Sequence, residues 1–80
     1  MTAYEVIQKY GWVQRTLGNC ADGFCINGAL DYVYGHDRRQ LHKSLCKVSS
    51  FIGHSYIAHW NDQPLRTVYE VLDVLKKAGV

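Results

Sequence analysis

The strongest local signal in this 80-residue chain is a helix start near its C-terminal end. Thr67 and Glu70 have the Thr-x-x-Glu spacing of a capping box, in which the hydroxyl accepts from the backbone amide three residues on and the glutamate reaches back. Pro64 disfavours helix for the residue before it, so the chain ahead of Thr67 is expected to turn or extend. The apolar residues that follow recur three and four positions apart. The sequence therefore predicts a helix from Val68 to Ala78 with one buried face.

The rest of the chain has the same organisation of helix starts and stops. Thr2 and Glu5 form a second capping box, and Asp37 with Gln40 resembles a third. Apolar stripes at helical spacing follow each start, and another runs from Ile26 to Val33. A short helix is expected over residues 55–60, with Tyr56, Ile57 and Trp60 turned inward. Glycines close the periodic segments and mark their ends, at Gly11, Gly35, Gly53 and Gly79.

One short β-hairpin is expected after the first helix. The segment from Trp12 to Leu17 is rich in strand-forming residues, and Asp22-Gly23 is the preferred dipeptide of a two-residue type I′ hairpin loop. With that loop, Cys20 faces Cys25 across the strands. The predicted fold is a small, mainly α single domain over residues 1–80, with four or five helices and one hairpin. Its expected core residues are Trp12, Leu30, Leu45, Trp60, Val71 and Leu75.

Composition limits the classes of function. The net charge of +2 is too small to identify a nucleic-acid binder. No apolar run approaches the roughly 20 residues of a membrane span, and the segment from Met1 to Glu5 lacks the features of a secretory signal. We therefore expect a cytoplasmic protein without membrane contact. Asn61 and Asp62 are interpreted as turn formers between two helices.

The cysteines and histidines suggest a weak thiol or metal hypothesis. Three cysteines speak against a disulfide framework, so reduced thiols are expected. Cys20 and Cys25 are too widely spaced for a zinc knuckle, and only His54 and His59 come near a histidine ligand spacing. Cys25 just before a helix also has the position of an activated thiol. Packed reduced thiols are the simpler interpretation, and no cofactor, metal or catalytic residue is predicted.

The clearest surface asymmetry is a basic segment over residues 38–47. Arg39, Lys43 and Lys47 recur every four residues and so share one helix face, with Arg38 adjacent. Such a face is often merely solvated. It is also the pattern expected of a docking patch for an acidic protein surface or for nucleic acid. These four side chains are therefore the predicted partner-binding residues.

Three motifs together resemble a family of small uncharacterised proteins from actinobacteria and their phages. The first two are Gly11-Trp12-x-Gln14 and Cys25-x-x-Gly28-Ala29. The third, and the most specific, runs Trp60-Asn61-Asp62-x-Pro64-x-Arg66-Thr67-x-x-Glu70-Val71-x-x-Leu75. The connection from Gly18 to Gly23 is shorter than is usual in the family. The resemblance implies a compact intracellular domain and suits a phage accessory protein, but it implies no activity.

The expected function is that of a non-enzymatic protein-interaction module, such as a phage accessory protein that binds a host protein. The alternative is a nucleic-acid-binding protein that uses the basic helix over residues 38–47. A second alternative is a thiol or metal protein that uses Cys20 and Cys25.

Overall fold

The computed structural model describes residues 1–53 and 56–80. Within them lie five helices and one two-stranded antiparallel hairpin, so the predicted small, mainly α domain is confirmed. In chain order the elements are α1 (Ala3–Tyr10), β1 (Gly18–Asn19), β2 (Gly23–Phe24), α2 (Ile26–Tyr34), α3 (Arg38–Ile52), α4 (Ile57–Asn61) and α5 (Val68–Ala78).

The three predicted caps, at Thr2, Asp37 and Thr67, are confirmed, because each side chain accepts from free backbone amides. Thr2 and Thr67 form complete capping boxes with the glutamates three residues on. The Asp37 carboxylate accepts from the amides of Arg39 and Gln40 and starts α3. At the other end of α5, Gly79 adopts a left-handed conformation, with φ of 72°, that ends the helix.

Four helices pack in a closed ring around the core. Helix α1 lies against α2 and α5, α2 lies against α3, and α3 completes the ring against α5; the short α4 packs across α2 and α3. The carbonyl of Val80 accepts from the amides of Ala3 and Tyr4, which joins the end of α5 to the start of α1. The most completely buried apolar side chains come from four of the five helices: Val6, Ile7, Ile26, Leu30, Val48, Val71 and Leu75.

The predicted core is correct for Leu30, Val71 and Leu75, and only partly correct for Trp12, Leu45 and Trp60, which are half-buried at its margin. The inward orientation predicted for Tyr56 is wrong, since 73% of this residue is exposed. Of the predicted helix over 55–60, residue 55 lies outside the described residues, and α4 begins at Ile57.

The hairpin forms with a different loop from the one predicted. Gly18 pairs with Phe24 and Asn19 with Gly23, which leaves residues 20–22 as a three-residue loop. The Asn19 side-chain oxygen accepts from the amides of Ala21 and Asp22 and so sets this loop. Gly23, with φ of 101°, lies in the strand and not in the loop. Cys20 therefore does not face Cys25, contrary to the prediction.

The segment from Trp12 to Leu17 is not the expected strand. A single bridge joins Trp12 to Phe24, and the Leu17 carbonyl accepts from the Cys25 amide at 3.2 Å. This segment lies so close to α2 that a Cβ on Gly28 would stand 1.9 Å from the Leu17 carbonyl oxygen. Side-chain hydrogen bonds from elsewhere in the chain take the place of a strand ladder here.

No helix in the described ranges is both long and apolar enough to cross a membrane.

Candidate interaction surface and the Asn61 clasp

Helix α3 presents the predicted basic residues to solvent. Arg39, Lys43 and Lys47 are exposed and lie one turn apart, and we call these three the basic stripe. Arg38 is also exposed, but it lies about a quarter-turn around the helix from Arg39. The opposite face carries Val48, which is completely buried. The prediction that the stripe faces solvent is confirmed; its role in partner binding stays a prediction.

The basic stripe differs from Arg66 and Lys77, which form ion pairs among the described residues. Arg66 pairs with Glu70, and Lys77 pairs with Asp73, each at 2.9 Å and each within one helix turn. Helix α3 contains no Asp or Glu. Among the described residues, no ion pair involves the basic stripe or Arg38. In the part of the domain that the structure describes, the cations of α3 therefore form no ion pair, and the adjacent Asp37 carboxylate caps the start of the helix.

Phe51 extends the basic stripe and was missed in the sequence analysis. It lies one turn beyond Lys47 on α3, and 55% of the residue is exposed. The four-residue spacing that links Arg39, Lys43 and Lys47 continues to position 51, so this spacing could have identified Phe51 from the sequence. An exposed aromatic ring at the end of three cations gives this surface an apolar anchor point as well as charge.

A second polar site is buried and centred on Asn61, the last residue of α4. Its Oδ1 accepts from the Trp12 indole at 2.7 Å and from the Ile26 amide at 3.1 Å. Its Nδ2 donates to the Val13 carbonyl at 3.2 Å and to the Asp62 carboxylate at 2.9 Å. We call Asn61 and these four partners the Asn61 clasp. All four hydrogen-bonding positions of the amide are used, so its orientation is fixed.

Neighbouring groups tie the same loop more tightly to the turn after α4. The Gln14 side chain donates to the carbonyls of Asn61 and Gln63, at 3.0 and 2.8 Å. The Arg15 amide donates to the Asp62 carboxylate at 2.8 Å, and Arg15 holds a left-handed conformation with φ of 68°. The predicted turn-forming role of Asn61 and Asp62 is therefore incomplete, since both also bind residues almost fifty positions away.

The turn that leads into α5 is held by Arg66. Its guanidinium stacks over the Trp60 ring at 3.7 Å and donates to the Trp60 carbonyl at 3.0 Å. It also donates to Glu70, whose pKa is lowered first by the hydrogen bond from the Thr67 amide and then by Arg66. Trp60, Arg66, Thr67 and Glu70 therefore act together to fix the start of α5.

The thiols do not form a reactive pair. All three cysteines are free; Cys25 is buried, while Cys20 and Cys46 are exposed. Desolvation by burial raises the pKa of the Cys25 thiol, outweighing the opposite effect of hydrogen bonds from the Gly28 and Asn27 amides. This direction is opposite to the one expected for a thiol nucleophile at a helix N-terminus. Instead, the Cys25 sulfur caps α2 by accepting from Gly28 at 3.2 Å.

Metal coordination finds little support in the described ranges, where no three His, Cys, Asp or Glu side chains come together. His42 and Cys46 approach each other at 3.5 Å on α3 and supply only two potential ligands. His54, part of the weak zinc hypothesis, lies outside the described residues.

The fold and these contacts define a small helical domain with a buried amide clasp and a basic helix whose cations form no ion pair with any described residue. The family model described as "Family of unknown function (DUF6197)" matches residues 2–79, so the chain belongs to that family. Neither a curated protein nor a solved structure matches the chain.

Proposed function

We propose that this protein is a non-enzymatic interaction module whose basic stripe docks on an acidic surface of a partner protein. The observation that carries the proposal is the unpaired charge of α3. Arg39, Lys43 and Lys47 are exposed on one face, and no acidic side chain is available on their own helix. Exposed charge of one sign accelerates encounter with an opposite surface and favours the correct partner.

Phe51 adds a short-range component to this docking surface. Charged groups at the rim of an interface mainly change the association rate, whereas buried aromatic side chains account for much of the binding energy. Phe51 ends the basic stripe and is more than half exposed. A partner that combines acidic side chains with one apolar recess would therefore fit this face.

Phe51 also favours a second candidate function, the binding of single-stranded nucleic acid. Such sites combine cations that follow the phosphate backbone with aromatic rings on which bases stack. The basic stripe with Phe51 has both components, although with one ring only. This function predicts steep salt dependence, because phosphate contacts release counterions.

The resemblance to actinobacterial and phage proteins supports a finer version of the first proposal. In it, the protein is a phage accessory protein that acts in the host cytoplasm and binds a host protein. The thiol or metal alternative receives no comparable support, since Cys20 and Cys25 lie apart in the hairpin and the latter caps a helix.

The direct test is capture of partners from an actinobacterial lysate, with and without nuclease treatment. The wild-type protein is compared with a variant that carries Arg39→Glu, Lys43→Glu and Lys47→Glu. We expect the wild type to enrich a protein whose capture survives nuclease and falls at least about tenfold in the variant, a loss of about 1.4 kcal/mol or more. Capture that disappears with nuclease would instead support the nucleic-acid function.

A matched control separates local docking from net charge. Lys9, Arg15 and Lys76 are exposed and lie outside α3, so their joint change to Glu alters the net charge equally. This control should retain the partner. Equal loss in both variants would contradict docking through the basic stripe, and undiminished capture by the α3 variant would do so as well. A separate Phe51→Ala variant should weaken capture without changing its salt dependence.

A further inference from the structure

A cysteine and a histidine meet on the exposed side of α3, beside the basic stripe. Cys46 and His42 are both exposed and lie four residues apart, which places them one turn from each other on the same face of the helix. The Cys46 sulfur lies 3.5 Å from the Nε2 atom of His42. When the imidazole carries its proton on Nδ1, Nε2 accepts from the thiol. Both side chains can be approached from solvent, and we call them the thiol–imidazole pair.

The charges that α3 places around the thiol–imidazole pair are all positive. Lys43 lies three residues before the cysteine, and Arg38 and Arg39 lie one turn before the histidine. Helix α3 contains no Asp or Glu, and the Asp37 carboxylate that precedes it is engaged in capping its start. A surface with charge of one sign raises the local concentration of molecules with the opposite charge. Anionic reagents are therefore expected to reach this thiol preferentially.

The second exposed thiol of the chain, Cys20, has different surroundings. It lies in the hairpin loop, and its sulfur donates to the Tyr32 hydroxyl oxygen at 3.7 Å. A neutral phenol oxygen is a much weaker proton acceptor than an imidazole nitrogen. The nearest charge along the loop is the Asp22 carboxylate, which repels anions. Because the third thiol, Cys25, is buried, the chain offers two accessible thiols that differ in both proton acceptor and charge.

From these observations we propose that Cys46 is a site of thiol–disulfide exchange with small disulfides that carry carboxylate groups. The thiol gives its proton to Nε2 of His42, and the resulting thiolate attacks one sulfur of the disulfide. A bond forms between that sulfur and Cys46, the original disulfide bond breaks, and the leaving thiolate takes the proton from the imidazole. The small disulfide is the oxidant: half of it is released as a thiol, and Cys46 becomes part of a mixed disulfide.

The test compares three aliphatic disulfides that differ in charge. They are the anionic dithiodipropionate, the neutral hydroxyethyl disulfide and the cationic cystamine, each added to the reduced full chain at neutral pH and low salt. Mass spectrometry of proteolytic peptides measures the rate of modification at each cysteine. The ratio of the Cys46 rate to the Cys20 rate cancels the intrinsic reactivity of each reagent, and this ratio is measured without a partner protein, so it does not depend on the proposed docking function.

We expect the Cys46 to Cys20 ratio to be at least about ten with dithiodipropionate and to fall through hydroxyethyl disulfide to cystamine. A ratio of about one or less with dithiodipropionate would overturn the proposal. A ratio that is the same for the three reagents, or that rises towards cystamine, would overturn it as well.

The contribution of the imidazole is measured with His42→Gln, which keeps a polar side chain but removes the basic nitrogen. Modification of Cys46 by all three reagents should become about tenfold slower, because the thiol loses its proton acceptor. His36→Gln, in the exposed turn before α3, is the matched control and should leave the rates unchanged. Unchanged rates in His42→Gln, or equal losses in the two variants, would contradict the role of the thiol–imidazole pair.

The contribution of the cations is measured with a variant that carries Arg39→Gln and Lys43→Gln. Its Cys46 should react several-fold more slowly with dithiodipropionate and at an unchanged rate with hydroxyethyl disulfide. Lys9→Gln with Lys76→Gln is the matched control, because it removes two exposed cations outside α3 and changes the net charge equally. Equal losses in these two variants would show attraction to the net charge only and would contradict selection of anionic disulfides by α3.

Discussion

The Asn61 clasp and the basic stripe are the two most polar features of this domain, and their surroundings are opposite. Asn61 is completely buried, and each of its four hydrogen-bonding positions has a partner within the chain. Arg39, Lys43 and Lys47 are exposed, and no ion pair involves them in the described part of the chain. A buried amide without hydrogen-bond partners would destabilise the folded state, so the partners of Asn61 are explained by the requirements of folding. No such pairing holds the stripe among the described residues, and its role in docking stays a proposal.

The charged residues of α5 and of the turn before it also differ from those of α3. Arg66 and Glu70 hold a turn and a helix start, and Lys77 pairs with Asp73 on the outside of α5. Each of these two cations is paired with a carboxylate four residues away. The charges of α3 are all of one sign and are separated by one helix turn, so they repel one another slightly.

The largest expected effect on stability follows from removal of the Asn61 side chain. Asn61→Ala leaves the Trp12 indole, the Ile26 amide and the Val13 carbonyl without their partner, so the free energy of unfolding should fall by about 3 kcal/mol or more. Urea denaturation measures this change. Asn19→Ala is the matched control. The exposed loop amides that donate to the Asn19 side chain can donate to water instead, so this variant should lose less than about 1 kcal/mol of unfolding free energy. Similar losses in the two variants would contradict the clasp.

A smaller loss is expected where the Trp12 to Leu17 segment touches α2. An alanine in a helix is normally favoured over glycine by about 1 kcal/mol. Gly28→Ala should instead destabilise the protein by about 2 kcal/mol, because its Cβ would overlap the Leu17 carbonyl. Ser50→Ala, on the exposed side of α3, should have an effect within about 0.5 kcal/mol. A Gly28→Ala variant as stable as the wild type would show that the loop does not lie against α2 as described.

The capping boxes predict a modest dependence of stability on pH. Hydrogen bonds from Thr2 and Thr67 lower the pKa of Glu5 and Glu70 below their ordinary value of 4.5. A carboxyl group whose pKa is lower in the folded state than in the unfolded state stabilises the protein at pH values above its unfolded-state pKa. That contribution is lost as the pH falls through the pKa of the folded state. The melting temperature should therefore decline below about pH 4.5. A Glu5→Gln, Glu70→Gln variant should show a flatter decline, and an identical profile would contradict this assignment.

The smallest effect on stability is expected for the basic stripe. The variant with Arg39→Glu, Lys43→Glu and Lys47→Glu breaks no ion pair among the described residues, so each change should alter the free energy of unfolding by no more than about 0.5 kcal/mol. Thermal and urea unfolding would check this prediction. A cooperative loss approaching that of Asn61→Ala would show that the stripe stabilises the domain and would remove the main argument for docking.

Local sequence chemistry was sufficient to predict the helices that begin at a threonine or aspartate cap, whereas α4, which has no side-chain cap, was predicted less accurately. The start of α5 depends on Thr67 and Glu70, which lie within one turn of each other, and the end depends on Gly79. The hairpin loop was mispredicted because the Asn19 side chain selects a longer loop than Asp22-Gly23 favours. The helix periodicity also placed the basic stripe on the outside of α3.

The clasp was not predictable from local patterns. Asn61 has the composition of a turn residue, and nothing near it in sequence shows that Trp12 and Val13 supply its partners. The segment after Trp12 has strand-forming residues, but tertiary hydrogen bonds determine its path.

Hydrogen exchange of the two tryptophan indoles tests the central claim most directly, because each indole gives a separate NMR signal. The Trp12 indole donates to buried Asn61, whereas the Trp60 indole donates no hydrogen bond in the described part of the chain. Trp12→Phe assigns the signals. The clasp predicts that the Trp12 indole exchanges at least about tenfold more slowly than that of Trp60, and that Asn61→Ala abolishes the difference. Equal exchange rates in the wild-type protein would contradict the account.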